Sequence, residues 1–389
     1  MREIVVRTAR LYAAHLPALL AFFLAGWVVN YLLLRLAGAL ANIDPVYGYL
    51  VLPLAVLARI ASYVGMFLVL RPGRSFLEAL GTSILPFLVV FATWGMLKSD
   101  WVGFSLAQLE TRRFDGTDPE LFFGVTPVTV GIVVVAFSLR LLIKKFSARL
   151  PRWFGVVAAY LEAVWIFIAI DIIAEVTGWV IDWLDDRVVV VWWNGLMTSI
   201  GEAVAPLAWI TEAVAWLLGQ AAVLIGQPLA WLTVAGIVYA VTAPLATPTR
   251  WGAAARKRME SLPGFVSARL GDVGNDLAGR WLPIAQSARL IWRSGVITMA
   301  LFVLAYAILD TSSEWLAIGI HRLLGPHELG FWNGASTTIG LVIDTIVEPL
   351  RISLIAATWA FCLTLSDAGR DELQREQKET REQVPVEQA

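Results

Sequence analysis

The chain has 389 residues, 58% hydrophobic and 16% charged, and its mean hydropathy is +0.70. A soluble domain covers its surface with roughly 25% charged residues, so composition excludes a water-soluble enzyme or binding module. The formal net charge of −1 excludes a strongly basic nucleic-acid binder, and the single cysteine, Cys362, excludes disulfides and cysteine metal clusters.

Arg2, Arg7 and Arg10 precede the first apolar run, from about 11 to 36. It is too long for the core of a cleaved signal and no small-x-small site follows, so it reads as a retained span. Further runs long enough to cross roughly 30 Å of hydrocarbon as helices follow near 46–70, 76–97, 125–145, 153–175, 228–247, 290–310 and 338–364. Together they predict an all-α integral membrane protein of about eight transmembrane helices. Lys and Arg collect at the N-terminus, at Arg71 and Arg74, from Arg140 to Arg152, from Arg250 to Arg293, and in the tail. The positive-inside rule makes these segments cytoplasmic and both termini internal, in a membrane expected to be a bacterial inner (plasma) membrane. A ninth apolar run, 203–225, carries Glu212 and Gln220, and an odd span count would invert the basic loop after it. It is therefore expected to be a re-entrant or interfacial helix on the outer side.

The chain also repeats itself. Trp193-Asn194-Gly195 opens a nine-residue string that agrees at six positions with the string opened by Trp332-Asn333-Gly334. Without a gap, the same alignment pairs Asp171 with Asp310 and Glu175 with Glu314. Downstream, Gln227-Pro228 answers Glu348-Pro349 across an insertion of about eighteen residues. Fainter echoes near Thr8–Leu11 and Asn30 suggest earlier copies. The expected organisation is four parallel two-helix units, 1–74, 75–145, 146–248 and 287–365, separated and closed by two soluble pieces. Residues 249–286 form a cytoplasmic loop in which 251–285 reads as an amphipathic helix suited to anionic lipid. Residues 366–389 form a charged, disordered tail.

Three sets of residues are candidates for function. Arg59, Glu162, Asp344, Glu348 and Arg351 lie inside apolar runs, where each costs a few kcal/mol unless paired or wetted. They line either a polar pathway or structural ion pairs, such as Glu162 with Arg59 or Arg351. Asp171, Glu175, Asp310 and Glu314 form two acidic i,i+4 pairs at outer helix ends, either a cation or proton site or solvated ends. The Trp-Asn-Gly strings read as helix starts, with Asn as cap and Gly as turn, or as anion sites at those same starts. Pro228 and Pro349 are expected to kink their helices. His321 and His327 read as surface residues. No catalytic, metal or cofactor motif is present, so no cofactor is expected. The expected function is a transporter or channel for an ion or small polar solute; the rival is a non-catalytic membrane scaffold or accessory subunit. Expected partners are the lipid bilayer, and a membrane protein or a second copy of the chain.

Overall fold

The computed structural model describes residues 2–111, 125–146, 149–151, 153–203, 205–239, 287–292 and 294–365. In chain order the helices are α1 (Arg2–Ala41), α2 (Pro45–Leu70), α3 (Phe76–Thr93), α4 (Met96–Thr111) and α5 (Pro127–Lys145). They continue with α6 (Phe154–Asp185), α7 (Val188–Ala203), α8 (Ala205–Val238), α9 (Val296–Leu324) and α10 (Leu329–Leu365). No strand occurs among the described residues. The chain is an all-α membrane protein: α1, α2, α3, α5, α6 and α9 are each long and apolar enough to cross a bilayer. Hydrocarbon offers the backbone no hydrogen-bond partner, so apolar runs of this length must satisfy their own amides as helices.

Local chemistry sets several ends. Thr126 and Thr129 form a reciprocal capping box at the start of α5, with Pro127 in the first turn. Gly325, at φ 75°, closes α9 and donates its amide to the His321 carbonyl at 3.1 Å. Few side chains adopt that backbone conformation.

Helix extents differ from the sequence reading. The fifth and seventh expected spans continue to Asp185 and Leu324, because no breaker intervenes before Asp186-Arg187 and Gly325-Pro326. The expected span at 338–364 lies inside α10, where Arg351 through Trp359 are all buried. The segment expected to be a separate re-entrant helix is continuous with the run that follows, because α8 passes unbroken through Pro228. A proline removes one donor, and the remaining bonds hold the helix. The Trp-Asn-Gly strings are likewise not helix starts. Trp193, Asn194 and Gly195 lie within α7, and Trp332, Asn333 and Gly334 lie early in α10, so neither glycine makes a turn. The loops at 112–124 and 249–286 and the tail after 365 lie outside the described residues.

The chain divides into two compact units. One comprises Met1–Leu24, Tyr63–Ser83 and Pro228–Ala389; the other comprises Ala25–Ser62 and Ile84–Gln227. In the first, Trp231 of α8 packs against the Tyr63 ring at 5.1 Å, and Gly236 leaves room for the buried Trp359 ring. Arg74 Nη1 donates to the Ile237 carbonyl at 3.3 Å, placing a cation at the negative end of α8. Ile339, Ile343 and Val347 of α10 form a buried cluster against Leu309 and Ile320 of α9.

In the second unit, α5 lies against α6 with the Phe137 and Trp165 rings 5.3 Å apart. Tyr160 donates to the Leu50 carbonyl at 3.0 Å, tying α6 to α2. Helices in lipid gain little from apolar burial against one another, so close backbone approach and interhelical hydrogen bonds carry the association. Gly38 is such an approach. A Cβ there would lie 2.6 Å from the Gln108 amide nitrogen and 2.7 Å from the Ala107 carbonyl carbon, both backbone atoms that cannot rotate away. Gly38→Ala is expected to destabilise by about 1–3 kcal/mol in thermal melts of purified protein. Gly81→Ala, with nothing within 4 Å of the added carbon, is the control and should be neutral or slightly stabilising. Equal melting of the two variants would sink the close-approach account.

Candidate functional site

The first unit holds a buried cluster built on α2, α9 and α10. Glu348 and Arg351 are three residues apart on α10 and so share one helix face. Arg351 Nη1 donates to Glu348 Oε1, and Nη2 donates to Asp310 Oδ1 of α9 at 2.8 Å. Tyr63 of α2 donates its hydroxyl to Glu348 Oε2 at 3.1 Å. The guanidinium also sits over the Tyr306 ring, 5.4 Å from its centre.

Glu348 and Arg351 are each 8% exposed, whereas the Asp310 side chain is 49% exposed. Two carboxylates therefore face one guanidinium, and the set carries one net negative charge when both are ionised. Such a set attracts a cation. Its accessible corner is Asp310.

The second unit holds two charge pairs of a different kind. Arg59 of α2 meets Asp100 of α4 at 2.6 Å, and Asp100 is fully buried. Asn30 of α1 donates to the Ala55 carbonyl at 2.9 Å and reaches Asp100 Oδ1 at 3.4 Å. Arg140 of α5 donates to Glu162 of α6 at 2.9 Å, both side chains being buried. Each of these sets one cation against one anion.

The sequence-predicted residues are thus divided. Glu348, Arg351 and Asp310 come together. Arg59 and Glu162 do not join them, and Glu162 pairs with Arg140 rather than with Arg59 or Arg351. The reason is the packing of α5 against α6, which brings Arg140 opposite Glu162. Asp344, one turn before Glu348 on the same face of α10, is exposed. Asp171 accepts a hydrogen bond from the buried Tyr49 hydroxyl, Glu175 is half-buried one turn further on, and Glu314 is exposed. Trp332 stacks on His321 at 5.0 Å, while Trp193 is exposed and nothing lies within 4 Å of a Cβ added at Gly195 or Gly334.

Sequence reasoning missed Tyr63, Tyr306, Asn30, Asp100, Arg140 and Tyr49 as partners. Arg140 carried a usable signal, being an opposite charge in the apolar run next to that of Glu162. The tyrosines carried none, since an aromatic in an apolar run reads as packing. Among the described residues, no group of three or more His, Cys, Asp or Glu side chains is gathered to hold a metal ion. Comparison with protein-family models, curated proteins and solved structures finds no match.

Proposed function

We propose that this protein is a membrane transporter or channel for an ion or small polar solute, and that Asp310, Glu348 and Arg351 bind the charge it moves. One observation carries the reading: the cluster is buried, holds an excess carboxylate, and is reached through a half-exposed aspartate. A purely structural site has no need of the second carboxylate, and a carrier site does. The test is flux in liposomes holding the purified protein, wild type against Glu348→Gln; unimpaired flux in the variant refutes the assignment.

The second reading, a non-catalytic scaffold or accessory subunit, rests on Arg59–Asp100 and Arg140–Glu162. These neutral pairs fix helices to one another and leave nothing to exchange. Under that reading the partner is a membrane protein or a second copy of the chain.

The same proposal carries an arrangement of eight spans in parallel repeats, in a bacterial inner membrane with both termini cytoplasmic. The six long apolar helices, the burial of α10 and the basic loops support it. The paired positions Asp171 and Asp310 each accept from a side chain of another helix, Tyr49 and Arg351, which supports the repeat. Reporters fused after Ala389 and inserted near Gly271 should both resist external labelling of intact cells; labelling of either would overturn the topology.

A further inference from the structure

Within the second unit, an open cleft of about 270 Å³ lies between the α3–α4 segment and α6. Ala92, Leu97, Phe167, Ile170 and Ala174 make its wall apolar, and Trp101 adds an indole edge. Two charged residues also line it, Lys98 of α4 and Asp171 of α6. Although they share one cleft, they form no ion pair with each other, and Lys98 has no hydrogen-bond or ion-pair partner among the described residues.

Asp171 is held in place. The Tyr49 hydroxyl occupies its Oδ2, and Tyr49 is itself fixed by the Phe167 and Trp101 rings, 6.2 and 6.1 Å away. Its Oδ1 has no partner among the described residues. The cleft thus presents one cation and one oriented carboxylate beside an apolar wall.

We propose that this cleft binds a phospholipid with a primary-ammonium headgroup, its phosphate at Lys98 and its ammonium at Asp171. One cation and one carboxylate on the same cleft complement a zwitterion, which carries both opposite charges. An anionic headgroup would leave Asp171 unanswered. A trimethylated ammonium could not donate a hydrogen bond to Oδ1. The apolar wall argues for a lipid over a free zwitterionic solute, because it offers surface to acyl carbons and nothing further to a polar body. Trp101 suits the headgroup boundary. The inference does not depend on the transport reading, and its test reads lipid retention rather than flux.

The experiment is native mass spectrometry of the delipidated full chain in detergent. It is offered dioleoyl phosphatidylethanolamine, phosphatidylcholine or phosphatidylglycerol, and separately glycerophosphoethanolamine as the free headgroup. Wild type should retain phosphatidylethanolamine at least about fivefold over the other two lipids, the scale of one favourable charge at a membrane surface. Lys98→Gln should weaken that retention about fivefold, and, because Lys98 holds no partner, should leave the melting temperature unchanged. Asp171→Asn can still accept from Tyr49 and should erase the preference over phosphatidylglycerol. Equal retention of all three lipids by wild type, or unchanged retention in Lys98→Gln, overturns the site. Competition by the free headgroup as effective as that by the whole lipid makes it a solute site instead. If Asp171→Asn melts early, Lys98→Glu decides, since it should repel the phosphate of every lipid tested.

Discussion

Glu348→Gln is expected to abolish flux in reconstituted liposomes while leaving folding stability within about 1 kcal/mol of wild type. From sequence alone two outcomes stand open: a transport route predicts lost flux with folding nearly intact, and a structural pair predicts that the change strands Arg351 in low dielectric, at a cost of roughly 3–5 kcal/mol. Asp310 removes that cost, because it holds Arg351 Nη2 at 2.8 Å whether or not Glu348 is charged. A glutamine carbonyl can still accept from Nη1, and its amide can donate to the Tyr63 hydroxyl. The substitution therefore turns two carboxylates against one guanidinium into a neutral one-to-one pair. What it removes is the excess charge, which is the feature the transport reading requires. Arg351→Met is the opposite perturbation. It leaves two carboxylates without a cation and should cost about 3–5 kcal/mol, measured by thermal or denaturant unfolding in detergent. Lost flux with an unchanged melt in Glu348→Gln, beside a strongly destabilised Arg351→Met, is the expected pattern. Wild-type flux with an unchanged melt in Glu348→Gln would remove this cluster from the route, whereas no flux from the wild type itself would favour the scaffold reading.

Arg140 and Glu162 should behave as a closed structural pair. Each is buried and bonded to the other at 2.9 Å, so Arg140→Met or Glu162→Leu alone takes the opposite charge away from a buried ion. Either single change should destabilise by about 3–5 kcal/mol, whereas the double replacement should return to within about 1 kcal/mol of wild type or better. An apolar pair of similar volume avoids desolvating two ions, and this is why the combination recovers. The interaction energy from the double-mutant cycle is thus expected to be large and favourable. Simple addition of the two losses would mean that the residues act through other neighbours, and the pair would not be what joins α5 to α6.

Contrasting expectations for two buried charge sets follow from counting charges in three dimensions, which the linear sequence does not permit. The apolar runs marked Arg59, Glu162, Glu348 and Arg351 as costly wherever their helices packed. They could not say which cation met which anion. Glu348 and Arg351 were legible as neighbours, being three apart on one helix, but Asp310 lies 41 residues before Arg351 and reaches it only because α9 and α10 pack together. Arg140 was counted with the basic residues that set orientation, and Asp100 was not among the candidates, because each sits near the end of an apolar run. Both are buried, since α5 and α4 carry them past those ends against neighbouring helices.

The sequence by itself determined that the chain is helical and belongs in a membrane, because hydrocarbon leaves an apolar run of twenty residues no other way to satisfy its backbone. Local chemistry also sets where α2 and α5 begin, at Pro45 and behind the Thr126 cap, close to the apolar runs read from 46 and 125. Those outcomes depend on residues within a few positions of one another. Tertiary structure alone decided that α8 passes through Pro228, that the Trp-Asn-Gly strings lie inside helices, and that α10 is buried from Arg351 to Trp359. It also decided how each buried charge is balanced. In a membrane every face of an apolar helix is hydrophobic, so periodicity does not mark the side that meets protein, and partners are chosen only when the helices pack.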